Sequence, residues 1–340
     1  MAAGEFWILA LSGGGARGLF TAKVLAEMEA RLGHPLANHF DLIAGTSVGG
    51  ILALGIANEI RASKMLALFD QSPAIFSPRT GTCLLGLPWF KAKFSNSYLR
   101  SLLEETFGAT TIGDLKHRIM IPSVNYTKGS PSFFKTPHHP RLYRDAQYSL
   151  VDVALATSAA PTYFPVHRFA DQHFVDGGLI ANAPGLTAVH EAMQFIGHDD
   201  IKTIHVVAVG TAGRGTSMDP GLDPDMGIVT SFKRRWYWPL ALGWGARIFD
   251  LTINAQEAMS NDILRHWIKE RFHLIDRTPD SEQTKYLGLD DVSDSARTAL
   301  LGQAAVAIQN DLSYDLTEQI RQHQPLAPKF FHGPNKSPSQ

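Results

Sequence analysis

The stretch Gly45-Thr46-Ser47-Val48-Gly49-Gly50 constrains this chain more than any other. The apolar run Phe40-Asp41-Leu42-Ile43-Ala44 before it reads as a buried strand. Ile51-Leu52-Ala53-Leu54-Gly55-Ile56 after it reads as the opening of a buried helix. A Gly-x-Ser-x-Gly between a strand and a helix has the form of a nucleophile elbow. Gly45 and Gly49 let the backbone turn without a Cβ clash, which leaves the Ser47 hydroxyl exposed at the top of a sheet. The helix N-terminus behind the serine offers amide donors and a positive dipole end to an anion forming there.

A second glycine cluster lies upstream. Residues 6–11 read as an apolar strand, and residues 19–32 have helical spacing with Val24, Leu25, Met28 and Leu32. Between them stands Ser12-Gly13-Gly14-Gly15-Ala16-Arg17-Gly18. Consecutive glycines can aim their amides in one direction, forming a nest for an anion or an oxyanion. The same letters satisfy Gly-x-Gly-x-x-Gly, the dinucleotide-binding turn. That turn needs an acid at the far end of the second strand. Here Asp41 opens that strand, Gly45-Thr46-Ser47 closes it, and the lysine of a P-loop is absent. The oxyanion reading is therefore preferred.

Further along, the elbow helix is expected to run to about Asn58, with a second helix over 62–70. Residues 73–96 break into Pro, Gly and aromatics, with Leu84, Leu85, Trp89 and Phe90 beside Lys91 and Lys93. Such a loop serves either as a lid touching lipid or as a segment packed on the core. A helix is expected at 97–107, strands at 118–126 and 132–135, and a helix at 150–158 that stops at Ala159-Ala160-Pro161. A strand over 164–169 and the run 171–175 lead into Asp176-Gly177-Gly178. That arrangement places a carboxylate on a tight turn with no neighbouring side chains in its way, although Asp-Gly alone equally marks a hairpin turn. A helix at 184–196 and a buried strand at 201–209 follow, then a Gly/Pro/Asp-rich loop over 211–227. Lys233-Arg234-Arg235-Trp236-Tyr237-Trp238, with Trp244 and Arg247 beyond, suits a membrane interface, an anionic ligand pocket, or a Trp-rich packing seam. Helices at 246–269 and 294–310 flank a strand at 271–276, and the Pro/Lys/Ser-rich stretch from Pro325 is expected to fray.

Composition narrows the function classes. The 340 residues, 44% hydrophobic, can bury one large core. Thirty-one basic against 32 acidic residues give no global field for a nucleic-acid polymer. A single cysteine, Cys83, excludes an internal disulfide framework and fits a reducing compartment. No apolar run reaches the ~18–20 residues of a membrane span, and residues 1–5 lack the basic region of a signal peptide. The chain is expected to be cytoplasmic. Its 14 histidines show no ligand spacing, His138-His139 reads as solvated loop, and no metal is expected.

Four pieces thus stand in order: Gly13-Gly14-Gly15-Ala16-Arg17-Gly18, Gly45-x-Ser47-x-Gly49, Ala156-Thr157-Ser158-Ala159-Ala160-Pro161 and Asp176-Gly177-Gly178. In this order and spacing, over residues 6–210, the chain resembles the patatin-like phospholipases. The resemblance implies a three-layer α/β/α fold with a mostly parallel central sheet and a C-terminal helical extension. It implies one catalytic domain over 1–324, with the core motifs in 6–210, the extension in 211–324 and a flexible tail at 325–340. It also implies lipid acyl hydrolysis by a Ser–Asp dyad, with no histidine and no cofactor. Carried over by motif, Ser47 is the nucleophile and Asp176 the base. Gly13, Gly14 and Gly15 supply the oxyanion hole, Arg17 steadies it, and Gly45, Gly49, Gly177 and Gly178 support the turns. The residue before the glycines varies in this family between acid and serine, and Ser12 matches the bacterial form.

The run Leu11 to Leu25 and the segment from Trp244-Gly245 to Ala255-Gln256-Glu257 resemble the bacterial branch. Within that branch, the chain is similar to effector phospholipases of antiphage defence that cyclic nucleotides such as cyclic GMP-AMP switch on. By that likeness Lys233, Arg234, Arg235 and Arg247 would meet phosphates, while Trp236, Tyr237, Trp238 and Trp244 would stack on bases. Direct docking of the same segment on anionic lipid is the alternative. The substrate would be membrane phospholipid at the inner face of the membrane, and a homo-oligomer stays open.

The chemistry sets its own requirement. A serine hydroxyl is a poor nucleophile until a base takes its proton, and a carboxylate of ordinary pKa is a weak base. Asp176 should therefore sit where water is excluded. Two rivals remain at this level. One is a Ser-His-Asp esterase drawing on His205, His273 or His323, and the other is a nucleotide- or lipid-binding module whose serine does no chemistry.

Overall fold

The computed structural model describes residues 4–79, 83–84, 87–88, 92–196, 198–213, 240–279 and 287–338. Strand β1 (Phe6–Leu11) is buried along its whole length, and its side chains divide between two cores. Trp7, Leu9 and Leu11 join the larger apolar cluster, while Phe6, Ile8 and Ala10 join a second one on the opposite face. A strand wet on neither face must be covered on both, which is why its sequence is a continuous apolar run.

In chain order, α1 (Gly18–Leu32), β2 (Leu42–Gly45), α2 (Val48–Ala57), α3 (Ala62–Ala67) and α4 (Ser72–Ile75) follow. A small hairpin, β3 (Cys83–Leu84) and β4 (Leu87–Pro88), precedes α5 (Ser97–Phe107), β5 (Ile119–Asn125) and β6 (Ser130–Lys135). Next come α6 (Leu150–Thr157), β7 (His167–Phe169), β8 (Gln172–Asp176), α7 (Gly178–Ala181), α8 (Gly185–Ile196) and β9 (Ile204–Val209). The described chain closes with α9 (Leu240–Trp267), β10 (Phe272–Ile275), α10 (Asp294–Asn310) and α11 (Tyr314–Gln322).

The sheet runs β10-β9-β1-β2-β5-β8-β7, with β6 also on β5. Strands β10, β9, β1, β2 and β5 are parallel, and β6, β8 and β7 are antiparallel to their neighbours. Residues of α1, α2, α5, α6, α10 and α11 build the Trp7 side of the core, and those of α8 and α9 build the Phe6 side. The expected three-layer α/β/α fold is thus present. The carboxyl ends of β1 and β2 lie side by side at the two glycine turns, where open α/β sheets place their ligands.

Several local expectations differ. The helix expected over 62–70 breaks after Ala67 into a 3-10 turn, and Pro73 then opens α4 at a position where its missing N–H costs nothing. The strands expected over 164–169 and 201–209 shorten to β7 and β9. His138 is buried rather than solvated, its Nδ1 bonding Thr136 (2.8 Å) and its Nε2 Glu191 on α8 (3.0 Å). Over its described residues, the segment from Pro325 to Pro338 is held by the fold rather than frayed. Leu326 N–H donates to Asp41 (2.6 Å), Arg118 donates to the Leu326 and Ala327 carbonyls (3.0 and 3.1 Å), and Phe330 is buried. Its composition reads as a loose tail, but Asp41 and Arg118 supply partners for its backbone.

Candidate active site

The elbow is as sharp as its letters require. Ser47 has φ 55° and ψ −126°, a region that costs a non-glycine residue about 1–3 kcal/mol and persists only where surroundings enforce it. A Cβ on Gly49 would lie 2.5 Å from the carbonyl oxygens of Leu11 and Ser12, so β1 and α2 meet only through a glycine. The turn is also held from behind. Thr157 Oγ1 accepts from Ser47 N–H (3.0 Å) and donates to the Pro122 carbonyl (2.6 Å), while Thr46 Oγ1 donates to the Ala181 carbonyl (2.6 Å). The third motif is therefore a brace for Ser47, delivered by the end of α6.

Asp176 ends β8 and faces the elbow. Ser47 Oγ donates to Asp176 Oδ2 at 2.7 Å, and Gly178 N–H donates to Asp176 Oδ1 at 2.7 Å. Asp176-Gly177-Gly178 opens α7 and is not a hairpin turn. The carboxylate is 1% exposed. Burial pushes its pKa from 3.8 up to about 7, against the opposing pull of the Gly178 amide and the Ser47 hydroxyl. A carboxylate so placed can take a serine proton near neutral pH.

The upstream glycine turn differs from its expected role at Gly13. Gly13 N–H already donates to the Asn182 carbonyl (3.0 Å), so Gly13 is not a free donor. Among the described residues no acceptor stands against the Gly14 and Gly15 amides, and both glycines line the cleft that holds Ser47. Gly15 has φ +57°, and a Cβ there would lie 2.2 Å from the Leu289 carbonyl oxygen. Arg17 is buried beside this turn rather than in the cleft, with no partner for Nε or Nη2 among the described residues. Its desolvation lowers its pKa, opposed by Glu257, Asp250 and Asp276. Asn182, Thr211, Glu257, Asp276 and Leu289 surround the turn from across the chain. No spacing in the sequence singles them out.

The cleft above Ser47 has a cavity volume of about 110 Å³. Its walls are almost wholly apolar and include Val48, Met65, Leu102, Phe164, Phe249 and Ile253. Phe249 and Ile253 come from α9, so the C-terminal extension completes the cleft. No histidine lines it among the described residues. His205 and His273 stack near Trp7 (ring centroids 4.3 and 5.9 Å), and His323 bonds Asp41 (2.7 Å), all at the amino ends of the strands, away from Ser47.

Leu85, Trp89, Phe90 and the run Lys233, Arg234, Arg235, Trp236, Tyr237 and Trp238 lie outside the described residues. Leu84 falls in β3 and Trp244 and Arg247 in α9, where only the backbone is described. Among the described residues no helix is long and apolar enough to cross a membrane.

A model of the patatin-like phospholipase family matches residues 9–189. A Pseudomonas aeruginosa protein named cGAMP-activated phospholipase is 44% identical, covering 98% of this chain and 96% of its own length. Namesakes from Escherichia coli (38% identical, 85% of each chain) and Vibrio cholerae (39% identical, 63% of this chain and 66% of its own) are also similar. With the motifs in place along a patatin-type sheet, the chain belongs to the patatin-like phospholipases, a family of lipid acyl hydrolases.

Proposed function

We propose that this lipid acyl hydrolase cleaves membrane phospholipids through an acyl-enzyme on Ser47, with Asp176 as its base, and that a cyclic dinucleotide switches it on. The observation that carries the dyad is the 2.7 Å bond from Ser47 to a carboxylate that burial raises to about 7. Ser47 Oγ attacks the ester carbonyl while its proton passes to Asp176 Oδ2. The tetrahedral oxyanion is met by the Gly14 and Gly15 amides, each donor of this kind being worth about 3–4 kcal/mol. Collapse expels the lysophospholipid alkoxide, which takes the proton back from Asp176. Water then attacks the acyl carbonyl, gives its proton to Asp176, and frees a fatty acid and Ser47. The apolar cleft suits the acyl chain, and no imidazole takes part.

The relatives named for cGAMP activation, one of them matching almost end to end, support a cyclic dinucleotide activator for this chain. Lys233, Arg234, Arg235 and Arg247, with Trp236, Tyr237, Trp238 and Trp244, remain the proposed contacts for its phosphates and bases. The work would be done at the inner face of the membrane, in antiviral defence. Binding must favour the active state over the resting one, since equal affinity shifts nothing. The test is fatty-acid release from phospholipid vesicles by wild type and Ser47→Ala, with and without micromolar cyclic GMP-AMP. Release that requires both Ser47 and the nucleotide is expected. Equal release by both proteins would end the dyad, and full release without nucleotide would end the switch.

A further inference from the structure

The turn that carries Gly14 and Gly15 is held by a residue 169 positions away, Asn182. Asn182 is 2% exposed and holds Gly13 from both sides: its main-chain carbonyl accepts from the Gly13 N–H (3.0 Å), and its side-chain Nδ2 donates to the Gly13 carbonyl (3.3 Å), the one of the two bonds that depends on the side chain. Its Oδ1 packs so closely that a Cβ on Gly13 would lie 2.5 Å away. An asparagine amide fits its site nearly as well when turned over, but the reversed group would set Oδ1 against the Gly13 carbonyl. Glu257 of α9 decides between the two. Its Oε2 accepts from Asn182 Nδ2 at 2.9 Å; burial raises the Glu257 pKa, while Arg17 and the hydrogen bonds from Ser12 and Asn182 favour the ionised form, which can only accept. The same carboxylate faces the Ser12 hydroxyl and the buried Arg17 guanidinium. Ser12 and Gly13 are the residues immediately before the two candidate oxyanion donors, and the carboxylate meets Ser12 directly and Gly13 through Asn182. Burying a carboxylate is costly, and a residue kept only for packing would be apolar.

We propose that Glu257 is a positioning residue of the acyl-transfer site: it locks Asn182 in the orientation that clamps Gly13 and so aims the Gly14 and Gly15 amides at the oxyanion. This rests on the reading of those amides as the oxyanion hole. The extension thus contributes to the chemistry itself, beyond closing the cleft.

The experiment measures kcat and KM on a short, soluble nitrophenyl ester, with micromolar cyclic GMP-AMP present throughout. In parallel it measures the rate at which a fluorophosphonate labels Ser47. Glu257→Ala and Asn182→Ala should each lower kcat and the labelling rate by about a hundredfold, the scale of one lost oxyanion donor, with KM within about threefold. The double variant should be no worse than the worse single, because the two act in one chain. Glu257→Gln keeps a carbonyl for the Asn182 hydrogen and should retain at least about a tenth of wild-type kcat. If Glu257→Ala fails to melt cooperatively, Asn182→Ala and Glu257→Gln make the same comparison. The proposal is overturned if both alanine variants stay within about threefold of wild type. It is equally overturned if their losses multiply, or if Gln falls as far as Ala. Wild type that shows no Ser47-dependent turnover would instead remove the acyl-transfer reading beneath it, a result separable from all of these.

Discussion

Replacing Asp176 by Asn should abolish activity and stabilise the protein by a margin that depends on pH. The side chain keeps its shape and its acceptor for Gly178, yet it can no longer take a proton from Ser47. A positioned general base contributes about 10²–10⁴ in rate, so kcat should fall by that factor. The stability effect follows from linkage. Burial raises the folded pKa from 3.8 to about 7, so the folded state holds the proton more tightly than the unfolded chain does. The associated stability is fully present below 3.8 and is lost as pH rises through about 7. A shift of this size corresponds to about 4 kcal/mol, of which about 2–3 kcal/mol is lost between about pH 5 and about pH 9. Asn carries no such titration. Its advantage over wild type should therefore be greater at about pH 9 than at about pH 5 by about 2–3 kcal/mol. Urea unfolding of both proteins at the two pH values, followed by tryptophan fluorescence, reads this directly, because titrations elsewhere cancel in the difference. An equal margin at both pH values, or an Asn variant less stable at the higher one, would refute the raised Asp176.

The wild-type kcat/KM on a soluble ester should rise about tenfold per pH unit up to about 7 and then level off, since only the ionised Asp176 can accept the proton; a flat profile below neutrality would contradict it. Substituting His205, His273 or His323 by Asn should leave kcat within about threefold, because these rings sit at the amino ends of the strands; a folded variant more than about a hundredfold slower would restore a Ser-His-Asp triad. Removing residues 325–340 takes away the Leu326 N–H from Asp41 and two carbonyl acceptors from Arg118. Hydrogen bonds to charged groups contribute about 1.5–3 kcal/mol each, so a loss of at least that size is expected in chemical denaturation. Turnover per folded molecule should be unchanged, and an unchanged denaturation midpoint would show that the segment does not hold the fold.

The sequence by itself determined the parts that depend on contiguous backbone. A short continuous apolar run before a glycine turn reads as a strand covered on both faces, and β1 is that strand. Gly-x-Ser-x-Gly after a strand forces a turn that side chains would block, and Ser47 has the strained geometry it demands. The serine elbow and the upstream glycine turn could be named on these grounds, because each carries its own local constraint; Asp176 was singled out only through the family resemblance, since Asp-Gly alone also marks a hairpin turn. What the letters could not specify is which groups those turns meet. Gly13 was expected among the oxyanion donors, yet its amide is taken by Asn182, which is 169 residues away and is fixed in turn by Glu257 on α9. His138 is buried by α8 although it read as solvated loop, and the segment from Pro325 is pinned by Asp41 and Arg118 although its composition suggested fraying. Even the basicity of Asp176 is a tertiary property. Its pKa is set by the exclusion of water from all sides, a sum over atoms from β5, α6, α7 and the elbow that no stretch of sequence contains.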